Sequence, residues 1–168
     1  MARKKRPDIH TISMLVANKP GVLVRIAQTF ARRGFNIDSL VVSPAVNADY
    51  SRMTITAQGD PGTLEQIIKQ ANKLIDVVHA GEHREEDSVH SELALMKVKY
   101  TAATKPIISR LIKKFRTRIL DDSDNTLLIE HVGKTTVLDD LEDLLRKYKI
   151  LEMVRTGKVA VIRGHEET

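Results

Sequence analysis

The chain has 168 residues, of which 42% are hydrophobic and 29% are charged, a composition typical of a folded protein rather than a disordered one. It contains no cysteine, which excludes disulfides, zinc-thiolate sites and thiol nucleophiles. The net charge is +5, but Arg3, Lys4, Lys5 and Arg6 supply much of the excess, so nucleic-acid binding is only weakly indicated.

Targeting signals are weak as well. The basic start resembles that of a signal peptide, but the apolar stretch after it is interrupted by polar residues. No run approaches the roughly 18 apolar residues that a membrane span needs. We therefore expect a cytoplasmic protein that does not bind membranes.

The first half of the chain alternates strand-like and helix-like patterns. Apolar residues recur at every second position in strands and at every third or fourth position in helices. A helix is expected to begin at Pro20-Gly21 and to end at Gly34, with Leu23, Ile26 and Phe30 on its apolar stripe. A second helix carries Leu64, Ile67, Ile68, Ala71 and Leu74. Strands are predicted over residues 9–17, 35–43, 51–58 and 75–80.

The second half repeats this order. Its helices carry the stripe Ile107, Ile108, Leu111, Ile112 and Phe115 and the stripe Val137, Leu138, Leu141, Leu144 and Leu145. Its strands are predicted over 92–100, 118–120, 127–132 and between 150 and 162.

This length allows one domain or two, and the repeat decides between them. Strand-helix-strand-strand-helix-strand is the ferredoxin-like βαββαβ order, so the fold class is α+β with two such domains in tandem. We place them at residues 8–82 and 90–164. The charged segment EHREEDSVH, about 82–90, is the predicted linker and is expected to contribute to neither core.

The start of the first helix is the most informative local feature. Gly21 exposes backbone amides at the positive end of the helix dipole, where a carboxylate could bind. Pro20 suits a first helical turn because it has no N–H to leave unpaired. The alternative is that Pro-Gly simply begins a helix.

Longer motifs carry a family resemblance. The run SMLVANKPGVLVRIAQTFARRGFNIDSLVV, with SRMTI, LEQIIKQANKLIDV and the terminal RTGKVAVIRG, resembles the small regulatory subunit of acetolactate synthase, over residues 9–164. The resemblance implies an N-terminal ACT domain that binds a branched-chain amino acid, usually valine, as feedback inhibitor. It also implies that ACT domains pair into a homodimer. Thiamine diphosphate, magnesium and FAD are expected on a separate catalytic subunit and no cofactor on this chain.

The same resemblance implies an effector site. Asn18 and Gly21 match the turn that holds the charged ends of the effector, and Val22 and Leu23 would add amides or apolar contacts. Asn36 matches an asparagine that reaches the effector from a neighbouring subunit. The alternative for both asparagines is ordinary turn chemistry.

Other features remain open. The linker residues Glu82, His83, Glu85, Glu86, Asp87 and His90 could hold a metal, but their spacing is not that of a rigid site, so we predict none. The segment RTGKVAVIRG is either a contact surface or an edge strand protected by Arg155, Lys158 and Arg163. No catalytic constellation can be assembled, which argues against an enzyme. An RNA-binding ferredoxin-like module is the alternative function, and RMTITAQG lacks the aromatic residues that such modules display.

Overall fold

The computed structural model describes residues 9–165, so the basic segment at Arg3 to Arg6 lies outside the described residues. Within them, the chain forms two compact units, one of residues 9–89 with 158–165 and the other of residues 90–157.

The first unit contains a four-stranded antiparallel sheet in the order β2-β3-β1-β4 and two helices. Its elements are β1 Ile9–Ala17, α1 Val22–Ala31, β2 Asn36–Pro44, β3 Tyr50–Gln58, α2 Pro61–Ala71 and β4 Val77–Glu82. This is the predicted ferredoxin-like order. The core lies between the sheet and the helices, and includes the fully buried Ile12, Ile55, Phe30 and Ile67.

The same topology recurs in the second unit, with strand order β6-β7-β5-β8. Its elements are β5 Ser88–Lys99, α3 Lys105–Lys114, β6 Arg118–Ser123, β7 Thr126–Gly133, α4 Thr135–Leu145 and β8 Ile150–Arg155, while a short strand β9 Val159–Ile162 also pairs with β5. Its own core includes Met96, Ile108, Ile129 and Leu141. The predicted α+β fold with two βαββαβ repeats is confirmed.

The predicted apolar stripe of α1 is confirmed at Ile26 and Phe30 and is wrong at Leu23. Val22, Ile26 and Phe30 are buried at a spacing of four residues, whereas Leu23 is 41% exposed. Val22 and Leu23 are both apolar and both fit a helical spacing with Ile26, so periodicity could not show which of the two is buried. Tertiary packing places Val22 rather than Leu23 against the core.

Two predicted boundaries were wrong. The strand placed at 75–80 begins at Val77, and Ile75 is fully exposed. The predicted linker is shorter than expected, because β5 begins at Ser88, whose side chain is 2% exposed. The strand-like residues predicted between 150 and 162 form two strands, because the chain turns at Gly157, where φ is +83°.

Candidate functional site

The site predicted from the sequence lies at the N-terminus of α1. Gly21 is the N-cap in a left-handed conformation with φ of +84°, so Pro20 precedes the helix instead of occupying its first turn, contrary to the prediction. Glycine reaches this conformation without strain. The first helical hydrogen bond runs from the Arg25 amide to Gly21 O at 3.2 Å.

The donors at this helix end are poorly satisfied. No side chain caps the helix, and its first turn contains no acidic residue. The amide of Val22 reaches Lys19 O only at 3.4 Å, and within residues 9–165 no acceptor is found for the amides of Leu23 and Val24. Exposed amides at the positive end of a helix dipole form a site suited to an anion.

Asn18, at the end of β1, is fixed by the loop between β2 and β3. Its backbone amide donates to Asp49 O at 2.7 Å, and its side-chain Nδ2 donates to Ala48 O at 3.0 Å. None of the described residues donates a hydrogen bond to its Oδ1 atom. This oxygen can therefore accept a hydrogen bond from a ligand. The loop had no role in the sequence analysis, and here it orients Asn18.

A further charge pair borders the site. The Arg25 guanidinium contacts one carboxylate oxygen of Asp76 at 2.8 Å through Nε and at 2.6 Å through Nη2. Nη1 of Arg25 lies 3.1 Å from the position that a Cβ on Gly21 would take. The sequence analysis missed both residues. Their separation of 51 positions hides the pair, although Arg25 follows Gly21 by one helical turn.

The two apolar site residues differ in exposure. Val22 is 2% exposed and belongs to the core, so only its backbone faces the helix end. The side chain of Leu23 is free to contact a ligand.

Asn36 does not join the other site residues within one chain. It begins β2 and pairs with Gln58, which pairs with Ile9 at the start of β1. Asn18 follows the other end of β1, where Ala17 pairs with Tyr50. Eight residue steps at about 3.3 Å separate these ends by roughly 26 Å. A site using Gly21 and Asn36 together therefore needs two chains.

Other titratable residues of the chain have structural partners. Asp122 accepts from Lys105 Nζ at 2.7 Å and from the Tyr100 hydroxyl at 2.6 Å. The hydrogen bond from Lys105, followed by that from Tyr100, lowers the pKa of Asp122. Burial lowers the pKa of His83 in the linker. Among residues 9–165, no group of three histidine or acidic side chains is placed to hold a metal ion.

The sequence analysis offered Arg155 as a basic residue that protects an edge strand by pointing into solvent. The structure contradicts this alternative. The Arg155 side chain is 20% exposed and binds both carboxylate oxygens of Glu92, at 2.8 and 3.0 Å. It also contacts Asp139 at 2.9 Å and Glu142 at 3.1 Å. The hydrogen bonds to Glu92 are the main reason that the pKa of Arg155 is raised.

Comparison with known proteins gives a consistent result across the chain. Residues 12–79 match the model of the AHAS small subunit-like ACT domain, and residues 91–164 match that of the small subunit of acetolactate synthase. The chain is 45% identical over 155 residues to the acetolactate synthase small subunit of Mycolicibacterium smegmatis, covering 92% of this chain and 91% of the relative. It is 42% identical to that of Mycobacterium bovis, covering 94% of each.

A solved structure supports the same relationship. The crystal structure of the acetolactate synthase small subunit from Thermotoga maritima matches with a TM-score of 0.85 at 40% identity, covering 95% of this chain and 99% of that one. Two ferredoxin-like units, the first of them an ACT domain, define a regulatory protein. The chain belongs to the family of acetolactate synthase small subunits.

Membership confirms the resemblance and gives the chain a regulatory role beside a catalytic subunit. It also sets aside the RNA-binding alternative. In the described part of the chain, no helix has the length and apolar character needed to span a membrane.

Proposed function

We propose that the chain binds a branched-chain amino acid, valine foremost, at the N-terminus of α1 and adjusts the activity of the catalytic subunit accordingly. The observation that carries the proposal is the left-handed Gly21 at an uncapped helix start. Thiamine diphosphate, magnesium and FAD belong to the catalytic subunit in this proposal, and the complex works in the cytoplasm.

Each part of an amino acid has a counterpart. The carboxylate accepts hydrogen bonds from the amides of Leu23 and Val24 and is favoured by the helix dipole. The ammonium donates to Asn18 Oδ1, whose side chain is held in place by Ala48 O. The exposed side chain of Leu23 offers an apolar contact to the branched side chain. An apolar contact of this kind discriminates one methylene by only about 1–3 kcal/mol, so leucine and isoleucine are expected to bind as well.

The second half of the site comes from a partner chain in a homodimer. β2 is an edge strand, so its outer backbone groups are open to pairing. If two β2 strands pair antiparallel across a two-fold axis, Asn36 of one chain approaches the Pro44 end of the other. Pro44 pairs with Ser51, which pairs with Val16 beside Asn18. Within one chain, Asn36 lies at the end of the sheet far from Asn18. With antiparallel pairing across the two-fold axis, Asn36 lies near Asn18 of the partner chain instead.

In this proposal the two domains, residues 8–82 and 90–164, have separate roles, with the effector held by the first. The two family matches, at 12–79 and 91–164, support this division. Regulation requires the effector to bind two states of the complex differently, typically by about 1–3 kcal/mol.

The proposal is tested at Gly21 with two variants of matched size. Gly21→Asp and Gly21→Asn place similar side chains at the same left-handed position, which both residues tolerate better than most. Only aspartate adds a negative charge beside the amides. We expect calorimetry to show valine binding lost in Gly21→Asp and weakened to a smaller extent in Gly21→Asn.

Circular dichroism and thermal melting of both variants provide the control for folding. Equal valine affinity in the two folded variants would contradict a carboxylate at this helix end. Unchanged affinity relative to the unmodified chain would remove Gly21 from the site altogether.

A further inference from the structure

The stretch between Glu92 and Asp121 in the second unit is strongly basic. It contains eight lysines and arginines and no acidic residue. Three of these cations pair with carboxylates outside the stretch, namely Lys97, Lys105 and Arg118. Four others lie on α3 or directly after it, are exposed, and form no ion pair within residues 9–165, namely Arg110, Lys113, Lys114 and Arg116. We refer to these four residues as the basic end of α3.

The helix dipole explains only part of this charge. A cation in the last turn of a helix is favourable, which suits Lys113 and Lys114. Arg110 lies one turn before Lys114, where the effect of the dipole has fallen off. Spacings of three and four residues place Arg110 beside both lysines, and like charges at these spacings repel each other. The helix itself therefore does not favour this arrangement.

Arg116 lies where the first unit has a glycine. The φ angle is +52° at Arg116 and +72° at Gly34. In both units the next amide along the chain donates to the carbonyl oxygen five positions before it, at 3.1 Å after Gly34 and at 2.9 Å after Arg116. Glycine adopts this left-handed conformation without strain, whereas arginine does not. The second unit thus holds an exposed guanidinium at a position that glycine would suit better.

Few carboxylates of the second unit are free to bind these cations in another copy of the chain. Glu92, Asp139 and Glu142 surround Arg155, and three further carboxylates pair with cations of the basic stretch. Nucleic acid is another anionic class of partner, but proteins that bind single strands stack bases on aromatic side chains. Phe115, the aromatic residue at this end of α3, packs against the core. An acidic surface of a different protein fits the basic end better.

We propose that the basic end of α3 binds an acidic surface of the catalytic subunit. Family membership implies that partner. Exposed cations without an internal partner attract a surface of opposite potential, which speeds association and fixes its orientation. The guanidinium groups of Arg110 and Arg116 can each bind one carboxylate through two parallel hydrogen bonds. This docking surface does not depend on valine binding by the first unit.

Association of the full chain with the purified catalytic subunit, measured by sedimentation without valine, tests the proposal. Lys113→Gln combined with Lys114→Gln removes two charges from the basic end. The matched control combines Lys147→Gln with Lys149→Gln, which removes two exposed charges at the other end of the same unit. There the carbonyl oxygen of Lys149 accepts from the amide of Lys99, before α3 begins.

We expect the Lys113 and Lys114 pair of substitutions to weaken association roughly 10-fold in low salt, and the control pair to change it by less than about 2-fold. The difference between the two should shrink in about 0.5 M salt, because exposed charges are then screened. A carbodiimide, which joins a lysine amine to a carboxylate with loss of water, should link Lys113 or Lys114 to an acidic residue of the catalytic subunit.

Arg116→Gly separates binding from stability. Glycine relieves the left-handed position, so the midpoint of thermal unfolding should rise. Loss of the guanidinium should nevertheless weaken association with the catalytic subunit roughly 5-fold. A purely structural arginine would leave this association unchanged, and that result would contradict the proposal.

The proposal is also overturned if the two pairs of lysine substitutions weaken association equally, or if neither weakens it. Binding of RNA or duplex DNA through Lys113 and Lys114, with unchanged association to the catalytic subunit, would identify nucleic acid as the partner and would overturn it as well. Calorimetry with valine on the unmodified chain keeps the two proposals apart. Absence of valine binding refutes the proposed function alone, because association is measured without valine.

Discussion

A site that contains both Asn36 and Gly21 requires an assembly of two chains. The resemblance of the sequence assigns both residues to one effector site, yet the strand register places them roughly 26 Å apart in one chain by the rise of a strand. Asn36 is exposed, and within residues 9–165 its Nδ2 atom donates only to Asp38 Oδ1, at 3.5 Å. Such a weak local contact leaves the amide available to a ligand on a neighbouring chain.

Replacing Asn36 by alanine should weaken valine without unfolding the chain. A hydrogen bond to a charged group is worth about 1.5–3 kcal/mol, which corresponds to a loss of roughly 10- to 150-fold in affinity. Calorimetry on the homodimer measures this loss. An unchanged affinity would make Asn36 a strand residue with no part in the site.

Mixing chains tests whether the site is shared. In a heterodimer of Gly21→Asp and Asn36→Ala chains, one site carries both lesions and the other carries neither. Valine titration should therefore recover sites of unmodified affinity, at most one per heterodimer. If mass spectrometry verifies subunit exchange and no tight site returns, the two residues do not meet across chains.

At the scale of elements, Arg155 connects three parts of the second unit. Its guanidinium on β8 contacts Glu92 on β5 and both Asp139 and Glu142 on α4. Glu92 and Asp139 are each 4% exposed, and Thr135 at the start of α4 donates to Glu92 at 2.8 Å. The arginine is thus the charge that balances buried carboxylates at the junction of sheet and helix.

Removing this charge should destabilise the second unit strongly. Arg155→Met preserves the apolar stem and removes the cation that binds both carboxylate oxygens of the buried Glu92, and the loss of one partner of a buried pair typically costs about 3–5 kcal/mol. Arg118→Met is the control, because the Arg118 side chain is 69% exposed in its pair with Glu130 and ion pairs at the surface contribute about 0–1 kcal/mol. Denaturant unfolding measures both. Similar losses in the two variants would contradict the role assigned to Arg155.

The elements themselves were largely predictable, because each depends on a local pattern. The stripe of α2 and the alternation of β1 follow from spacing alone. The turn between β6 and β7 depends on residue type, because Asp124 and Asn125, which have positive φ there, are residues that tolerate this conformation. The errors arose where local patterns are ambiguous. Ser88 is a small polar residue within a charged run, yet it is buried in β5.

The contacts between residues of the candidate site were harder to predict from the sequence. A glycine before an amphipathic helix indicates an open helix end, and the structure bears this out at Gly21. The pairing of Arg25 with Asp76 and the support of Asn18 by Ala48 join distant positions, for which no local rule exists. The buried partners of Arg155 lie 13 to 63 positions away and were missed for the same reason.

At the scale of the whole molecule, two similar folds carry different surfaces. The first unit has an open helix end and an edge strand suited to pairing. The second has a buried ion network and the basic end of α3. The chain belongs to the family of acetolactate synthase small subunits, so its regulatory role has to be measured on the complex with a catalytic subunit.

The most direct measurement is acetolactate formation from pyruvate by the catalytic subunit, with and without this chain and over a range of valine concentrations. We expect no activity from the chain alone, a higher rate when it joins the catalytic subunit, and inhibition of the complex by valine. The Gly21→Asp chain should still raise the rate but should no longer confer inhibition by valine. The Gly21→Asn chain should retain part of the inhibition by valine. A complex that contains the unmodified chain and is unaffected by valine, leucine and isoleucine would contradict the account.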